Sequence, residues 1–199
     1  MVIWLGLKEC ESYSVRRYEG GRDELFSGTL EGGEEMIEVK VVKVAVDVNT
    51  KMPVIVLREK TGEKTLPIWV GLFEAQAIAL ALENVKPPRP LTHDLAKLLI
   101  EKLHGEVDKV VISDLVNNTF YARIIMRRNG ENLEVDSRPS DAIALALRLE
   151  VPIFIDEAVL DKVTGSGKSV VETKPIGDEE VEDFKKRLRD LKPEDFETS

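Results

Sequence analysis

Two carboxylates, a guanidinium and two hydroxyls fall within one short stretch, Asp136-Ser137-Arg138-Pro139-Ser140-Asp141. Ahead of it Leu133 and Val135 alternate with Glu134 and Asp136, which is the period of a strand. Pro139 suits the first position of a helix, where a missing N–H costs nothing. Asp141 then falls at about the third helical position, beside the positive end of the helix dipole. Open backbone N–H groups, the dipole and the Arg138 guanidinium together make a receptor for an anion such as a phosphate. The competing reading is that Ser137, Ser140 and Asp141 only cap the helix.

The elements around this turn decide what it meets. Ala142 to Leu147 reads AIALAL, with no polar residue on any side, and a helix apolar all round must be covered all round. Upstream, alternation predicts strands over 37–48, 53–58 and 65–70, followed by a helix over 74–85 that Pro87-Pro88-Arg89-Pro90 stops. A second helix begins at Leu91-Thr92-His93-Asp94 with Thr92 as N-cap, its stripe of Leu95, Leu98, Leu99 and Leu103 turned inward, and Gly105 ending it. Strands return over 107–116, 119–128 and 133–136, with Asn117-Asn118 and Asn129-Gly130 as turns. The helix after the Asp136–Asp141 turn leads to a short strand over 152–155 and a short helix or turn over 156–162.

The string AIALAL also occupies Ala77 to Leu82, so each half reads strand, strand, strand, helix. This predicts an α+β fold of duplicated β-β-β-α units, forming a mixed sheet with helices packed on it, plus a C-terminal helix. A duplicated unit buries its apolar face against its copy, which brings the strand-to-helix turns 71–76 and 136–141 into a pseudo-twofold relation. Residues 91–104 would cover part of the two apolar helices, and a second subunit the rest. The chain divides into a weakly structured N-terminal extension over 1–35, a body over 36–162, and a loop with an amphipathic helix over 163–199. That last helix spans Asp178–Leu191, with Val181, Phe184, Leu188 and Leu191 as its stripe.

Bulk properties narrow the classes. Of 199 residues, 43% are hydrophobic and 33% charged, which is globular rather than disordered. A formal net charge of −9 argues against a general nucleic-acid coat protein, so a polyanion would need a local basic patch or bound cations. Cys10 has no partner for an intrachain disulfide, and no apolar run reaches membrane-spanning length. Together these predict a cytoplasmic protein. Thr164-Gly165-Ser166-Gly167-Lys168-Ser169 looks like a phosphate-binding P-loop, but the position that should hold its first glycine is Lys162. No HxH, CxxC or HExxH spacing marks a zinc site.

LPIWVG (66–71), EAQAIALAL (74–82), RPLTHDL (89–95), NNTFYARI (117–124) and DSRPSDAIALAL (136–147) together resemble the bifunctional nuclease domain family, from about Val39 to Asp161. The resemblance implies a mixed α+β fold and cleavage of phosphodiester bonds in DNA and RNA. That chemistry needs an activated water, charge neutralisation at the phosphoryl group and help for the leaving oxygen. Candidates for catalysis are Glu74, His93, Asp136 and Asp141. Arg89, Arg138, Ser137 and Ser140 are candidates for holding phosphate, with Thr92 adding a hydrogen bond. Asp94, Asp136 and Asp141 are candidates for a divalent metal ion, Mg or Mn. Nucleic acid is the expected substrate and a homo-oligomer the expected assembly. The alternatives are a non-enzymatic oligomeric ligand-binding or regulatory module, in which the same turn is a fold-fixing network, and a hydrolase of small phosphoesters.

Overall fold

Alternating valine and isoleucine writes most of the sheet. The computed structural model describes residues 15–18, 35–62, 64–165 and 173–175. In chain order the strands are β1 (Val15–Tyr18), β2 (Met36–Asp47), β3 (Pro53–Glu59), β4 (Thr65–Trp69), β5 (Gly105–Val116), β6 (Thr119–Arg128), β7 (Glu131–Ser137), β8 (Ile153–Asp156) and β9 (Thr173–Pro175). The helices are α1 (Leu72–Leu82), α2 (Thr92–Lys102), α3 (Pro139–Leu149) and α4 (Glu157–Gly165). The hairpin turns carry positive φ where their twist demands it: Asn117 and Asn118 between β5 and β6, Asn129 and Gly130 between β6 and β7.

All the described strands join one mixed sheet, ordered β1-β7-β6-β5-β8-β2-β3-β4, with β9 also pairing β2. Strand β8 is the hub, parallel to β5 and antiparallel to β2. Two antiparallel meanders, β2–β4 and β5–β7, lie on either side of it. The order strand, strand, strand, helix thus recurs, as a duplication would give, although recurrence alone does not establish one. Strands β1 and β9 come from segments that sequence patterning leaves unstructured. Each is too short to show a period, and each borrows its partner from a longer strand, β7 or β2. The amphipathic helix expected over 178–191 lies outside the described residues.

The helices cover one face of the sheet. A single apolar cluster joins Ile55, Leu57, Leu66, Val110 and Ile112 of the strands to Ala75 and Ile78 of α1, Ala142 to Ala144 of α3, and Val159 and Leu160 of α4. Residues Ala142 to Ala146 are all buried, as a helix apolar on every side requires. A bulge between Val107 and Lys109 resets the alternation of β5. Val110 and Ile112 therefore face the helices, while Val111 packs with Met36 and Ile125 in a smaller cluster on the other face, beside Phe154. Lys109 is buried there at 2% exposure. Among the described residues its Nζ has no hydrogen-bond partner, and it lies 5.3 Å from the centre of the Phe154 ring. Burial holds that ammonium's pKa below the usual lysine range.

Helix α2 corrects the expectation that its leucines turn inward. None of its residues is buried, and Leu95, Leu98, Leu99 and Leu103 are 51%, 40%, 53% and 55% exposed. It docks on α3 through polar contacts instead. Arg148 Nε donates to Asp94 Oδ1 at 2.6 Å, and Lys97 Nζ donates to the Arg148 carbonyl at 2.7 Å. Its N-cap is Leu91 rather than Thr92, because the side chain that closes the end is Asp94, whose Oδ2 accepts the Leu91 N–H at 2.9 Å. Among the described residues, no helix is long and apolar enough to cross a membrane.

Candidate active site

Strands β4 and β7 stand near opposite ends of the sheet, yet the helices that follow them lie against each other across its face. That crossing brings the two strand-to-helix elbows together. Arg138 is the N-cap of α3 in extended geometry, with Pro139 opening the helix. Its Nε and Nη2 donate to Asp141 Oδ2 and Oδ1 at 2.7 and 3.2 Å, while its Nη1 reaches across to Glu74 Oε1 at 3.0 Å. Asp141 Oδ1 also lies 3.1 Å from His93 Nε2, on the first turn of α2. Three helix starts therefore supply Glu74, His93, Arg138 and Asp141 to one cleft of about 560 Å³, whose wall also includes Phe73, Gln76 and Thr92.

Gly71 permits the Glu74 placement. A Cβ at residue 71 would overlap the Glu74 carboxylate, which folds back over the elbow. Backbone strain plays no part there, since Gly71 has φ −71.

The electrostatics follow from these contacts. The Asp141 carboxyl is pushed down to about 2, first by the His93 hydrogen bond and then by Arg138. Arg138 is in turn raised, first by its hydrogen bonds to Asp141. With Asp141 ionised, His93 Nε2 must carry the proton of that hydrogen bond, which leaves Nδ1 as the ring nitrogen able to accept one. The arrangement is that of an acid orienting an imidazole base, beside a guanidinium that is 66% exposed and has room for another anion.

A pH dependence follows. A carboxyl whose folded pKa lies below its unfolded value of 3.8 contributes stability that is full above that value and is lost as pH falls through about 2. Asp141 is about one-third exposed, so after solvent screening this contribution is about 1–2 kcal/mol. The stability gap between the unmodified chain and Asp141→Asn, read by thermal melts, should shrink as pH falls from about 4 to about 2. A difference that persists undiminished to pH 2 would contradict this account.

The remaining sequence candidates are placed elsewhere. Asp136 stands opposite Arg123 in β7, while its neighbours Val135 and Ser137 stand opposite the core residues Ile124 and Ala122. Its side chain therefore leaves the sheet on the face away from the cleft. Asp94 gives one oxygen to Arg148 and the other to the Leu91 N–H. Ser137 Oγ donates to the Arg138 carbonyl, Ser140 is buried, and exposed Arg89 does not line the cleft.

The expected metal set of Asp94, Asp136 and Asp141 is thus spread over three environments. Among the described residues, no group of three or more His, Cys, Asp or Glu is disposed to hold a metal ion. In the cleft, Arg138 fills the space between the Glu74 and Asp141 carboxylates, so these donors do not fit a metal centre as they stand.

Sequence reasoning missed Phe73, Gln76 and Arg148. Phe73 is 80% exposed on the cleft wall, and only its place beside Glu74 could have singled it out. Arg148 was legible only as the basic residue in the last turn of α3.

The bifunctional nuclease domain model matches residues 55–166. An uncharacterized protein of Mycobacterium tuberculosis is 44% identical over 167 residues, spanning 82% of this chain and 100% of the relative. Bifunctional nuclease 1 of Oryza sativa subsp. japonica is 31% identical over 125 residues, 61% of this chain and 37% of the relative. Bifunctional nuclease 2 of Arabidopsis thaliana is 32% identical over 107 residues, 52% of this chain and 32% of the relative.

Proposed function

The chain belongs to the bifunctional nuclease domain family, and on that premise we propose that it hydrolyses phosphodiester bonds of DNA and RNA in the cleft between the elbows. One observation carries the reading: His93 and Arg138 are both anchored on Asp141 in an open cleft. The His93 Nδ1 accepts a proton from a water whose oxygen bonds to phosphorus. The phosphorus bond to the leaving sugar oxygen breaks and that oxygen takes a proton from solvent, while Asp141 holds the ring and stabilises the imidazolium that forms. Arg138 donates N–H groups to the phosphoryl oxygens, where charge builds in the transition state. Glu74 and Asp141 hold the guanidinium in place before the substrate arrives. A divalent ion would add Lewis acidity at the phosphoryl group, but among the described residues no group of three or more His, Cys, Asp or Glu is disposed to seat one.

The test is direct. The purified full chain is incubated with labelled single-stranded DNA and RNA, with magnesium, with manganese, and with a chelator. Fragments should accumulate in proportion to the enzyme, with cleavage surviving the chelator. Intact substrate under every condition would overturn the nuclease reading and favour the non-enzymatic module. Cleavage only with added metal would overturn the metal-independent mechanism.

The assembly reading rests on α2. Its polar contacts face α3, while Leu95, Leu98, Leu99 and Leu103 face outward as an apolar stripe. We propose that a second copy of the chain seats on this stripe. Light scattering should give a multiple of the 22.3 kDa chain mass, falling to that mass in the Leu98→Glu, Leu99→Glu double variant. A monomer before substitution would refute the assembly, leaving the stripe to the chain's own C-terminal segment or another partner.

A further inference from the structure

A second cavity, of about 180 Å³, opens beside the end of β4, and its wall includes Pro67, Trp69, Leu115, Asn118, Phe120 and Lys162. This is below the roughly 300–1,000 Å³ of sites that take drug-sized ligands, so it suits one ring system rather than a whole nucleotide. Trp69 is 39% exposed, and its one hydrogen-bond donor is already used, since Nε1–H donates to Asp47 Oδ2 at 3.0 Å. The indole therefore offers a ligand its π-surface and nothing else. The nearby charge is also spent: Lys162 Nζ donates to Asp114 Oδ1 at 2.7 Å. A cavity with two aromatic rings, a rim amide and a neutralised cation favours a flat, uncharged heteroaromatic ring over a phosphate. Trp69 and Phe73 are four residues apart, so this cavity and the elbow cleft are joined by a segment no longer than about 14 Å.

We propose that this cavity is a base-stacking subsite. It would hold a nucleobase of a single strand whose phosphate lies against Arg138, with Trp69 as its stacking platform. The proposal rests on the nuclease reading for the identity of the strand. The cavity's preference for a planar base stands on its own geometry.

The test uses the full chain carrying Trp4→Phe, so that Trp69 is the sole tryptophan. Its fluorescence is titrated with an uncleavable phosphorothioate hexamer of deoxyadenylate, an abasic hexamer with the same backbone, and deoxyadenosine monophosphate. The base-bearing hexamer should quench Trp69 and bind about 5- to 150-fold more tightly than the abasic one, the range expected for stacking of one base on an aromatic side chain. In the same background, with binding now read as the anisotropy of a dye-labelled hexamer because no tryptophan remains, Trp69→Ala should bring the hexamer down to the abasic affinity. Trp69→Phe loses the Asp47 hydrogen bond but keeps a ring, and should stay within about 3-fold of the parent, as ring stacking requires. Equal binding of the two hexamers, or binding without quenching, overturns the subsite, and that comparison needs no variant at this site to fold. A monophosphate that matches the hexamer assigns the cavity to a free nucleotide and overturns the strand. Because none of these measurements depends on cutting, a chain that cleaves but ignores bases loses only the subsite. One that reads bases but never cleaves loses only the nuclease reading.

Discussion

Replacing His93 by glutamine should slow phosphodiester cleavage by about 10²- to 10⁴-fold, the usual worth of a positioned general base, with KM changed little. Glutamine keeps a donor for the Asp141 carboxylate at a similar reach but has no ring nitrogen to accept a proton. His93 is only 15% exposed and lies 3.1 Å from Asp141, so its ring is held rather than free to swing. The guanidinium that would meet the phosphate keeps both its carboxylate partners in this variant. Binding should therefore survive while turnover falls, which separates a proton-transfer role from a merely structural one. Unchanged turnover, or a loss carried wholly by KM, would remove His93 from the chemistry. A thermal melt matching the parent excludes misfolding as the cause.

What the sequence made legible, and what it hid, follows from the range of each signal. Period-2 alternation and Asn-Gly turns are local, and they located the long strands and hairpins to within a residue or two. Pro139 and the AIALAL run marked the start and the burial of α3 for equally local reasons. The meeting of the elbows is not local, since β4 and β7 are far apart in the sheet. It was legible only through the repeat, which implied that two like helices would lie side by side. Asp136 shows a local signal left half used. The alternation that identifies β7 already sets Asp136 on the face opposite Val135, hence away from a cleft on the helix side. The outward leucines of α2 were beyond reach, because an apolar stripe says that something covers it and not what. Here the inner face is chosen by a buried arginine from another helix, a pairing separated by 54 residues.

That arginine makes Arg148→Ala the second large effect. The Arg148 side chain is 9% exposed and its Nε donates to Asp94 Oδ1 at 2.6 Å, while Nη1 returns to the Ala144 carbonyl at 2.9 Å. Truncation leaves a partly buried carboxylate with only the Leu91 N–H, and breaking such a pair from one side costs about 3 kcal/mol. The cost falls on the joint between α2 and α3, because the core contacts of α3 involve Ala142 to Ala144 and Ala146, not Arg148. Amide hydrogen exchange should therefore accelerate over residues 91–102 far more than over β5 or β6, where exchange reports global opening. His93 rides on the loosened helix, so cleavage should fall with it, kcat more than KM, although Arg148 lines no part of the cleft. In a double-mutant cycle, Asp94→Asn alone should also cost stability, since its one amide oxygen can accept from Arg148 or from the Leu91 N–H but not from both. Combining the two should recover part of the loss, because no charge is then stranded. Exchange that speeds up evenly across the sheet, or cleavage that survives while α2 frays, would show that this ion pair does not position the site.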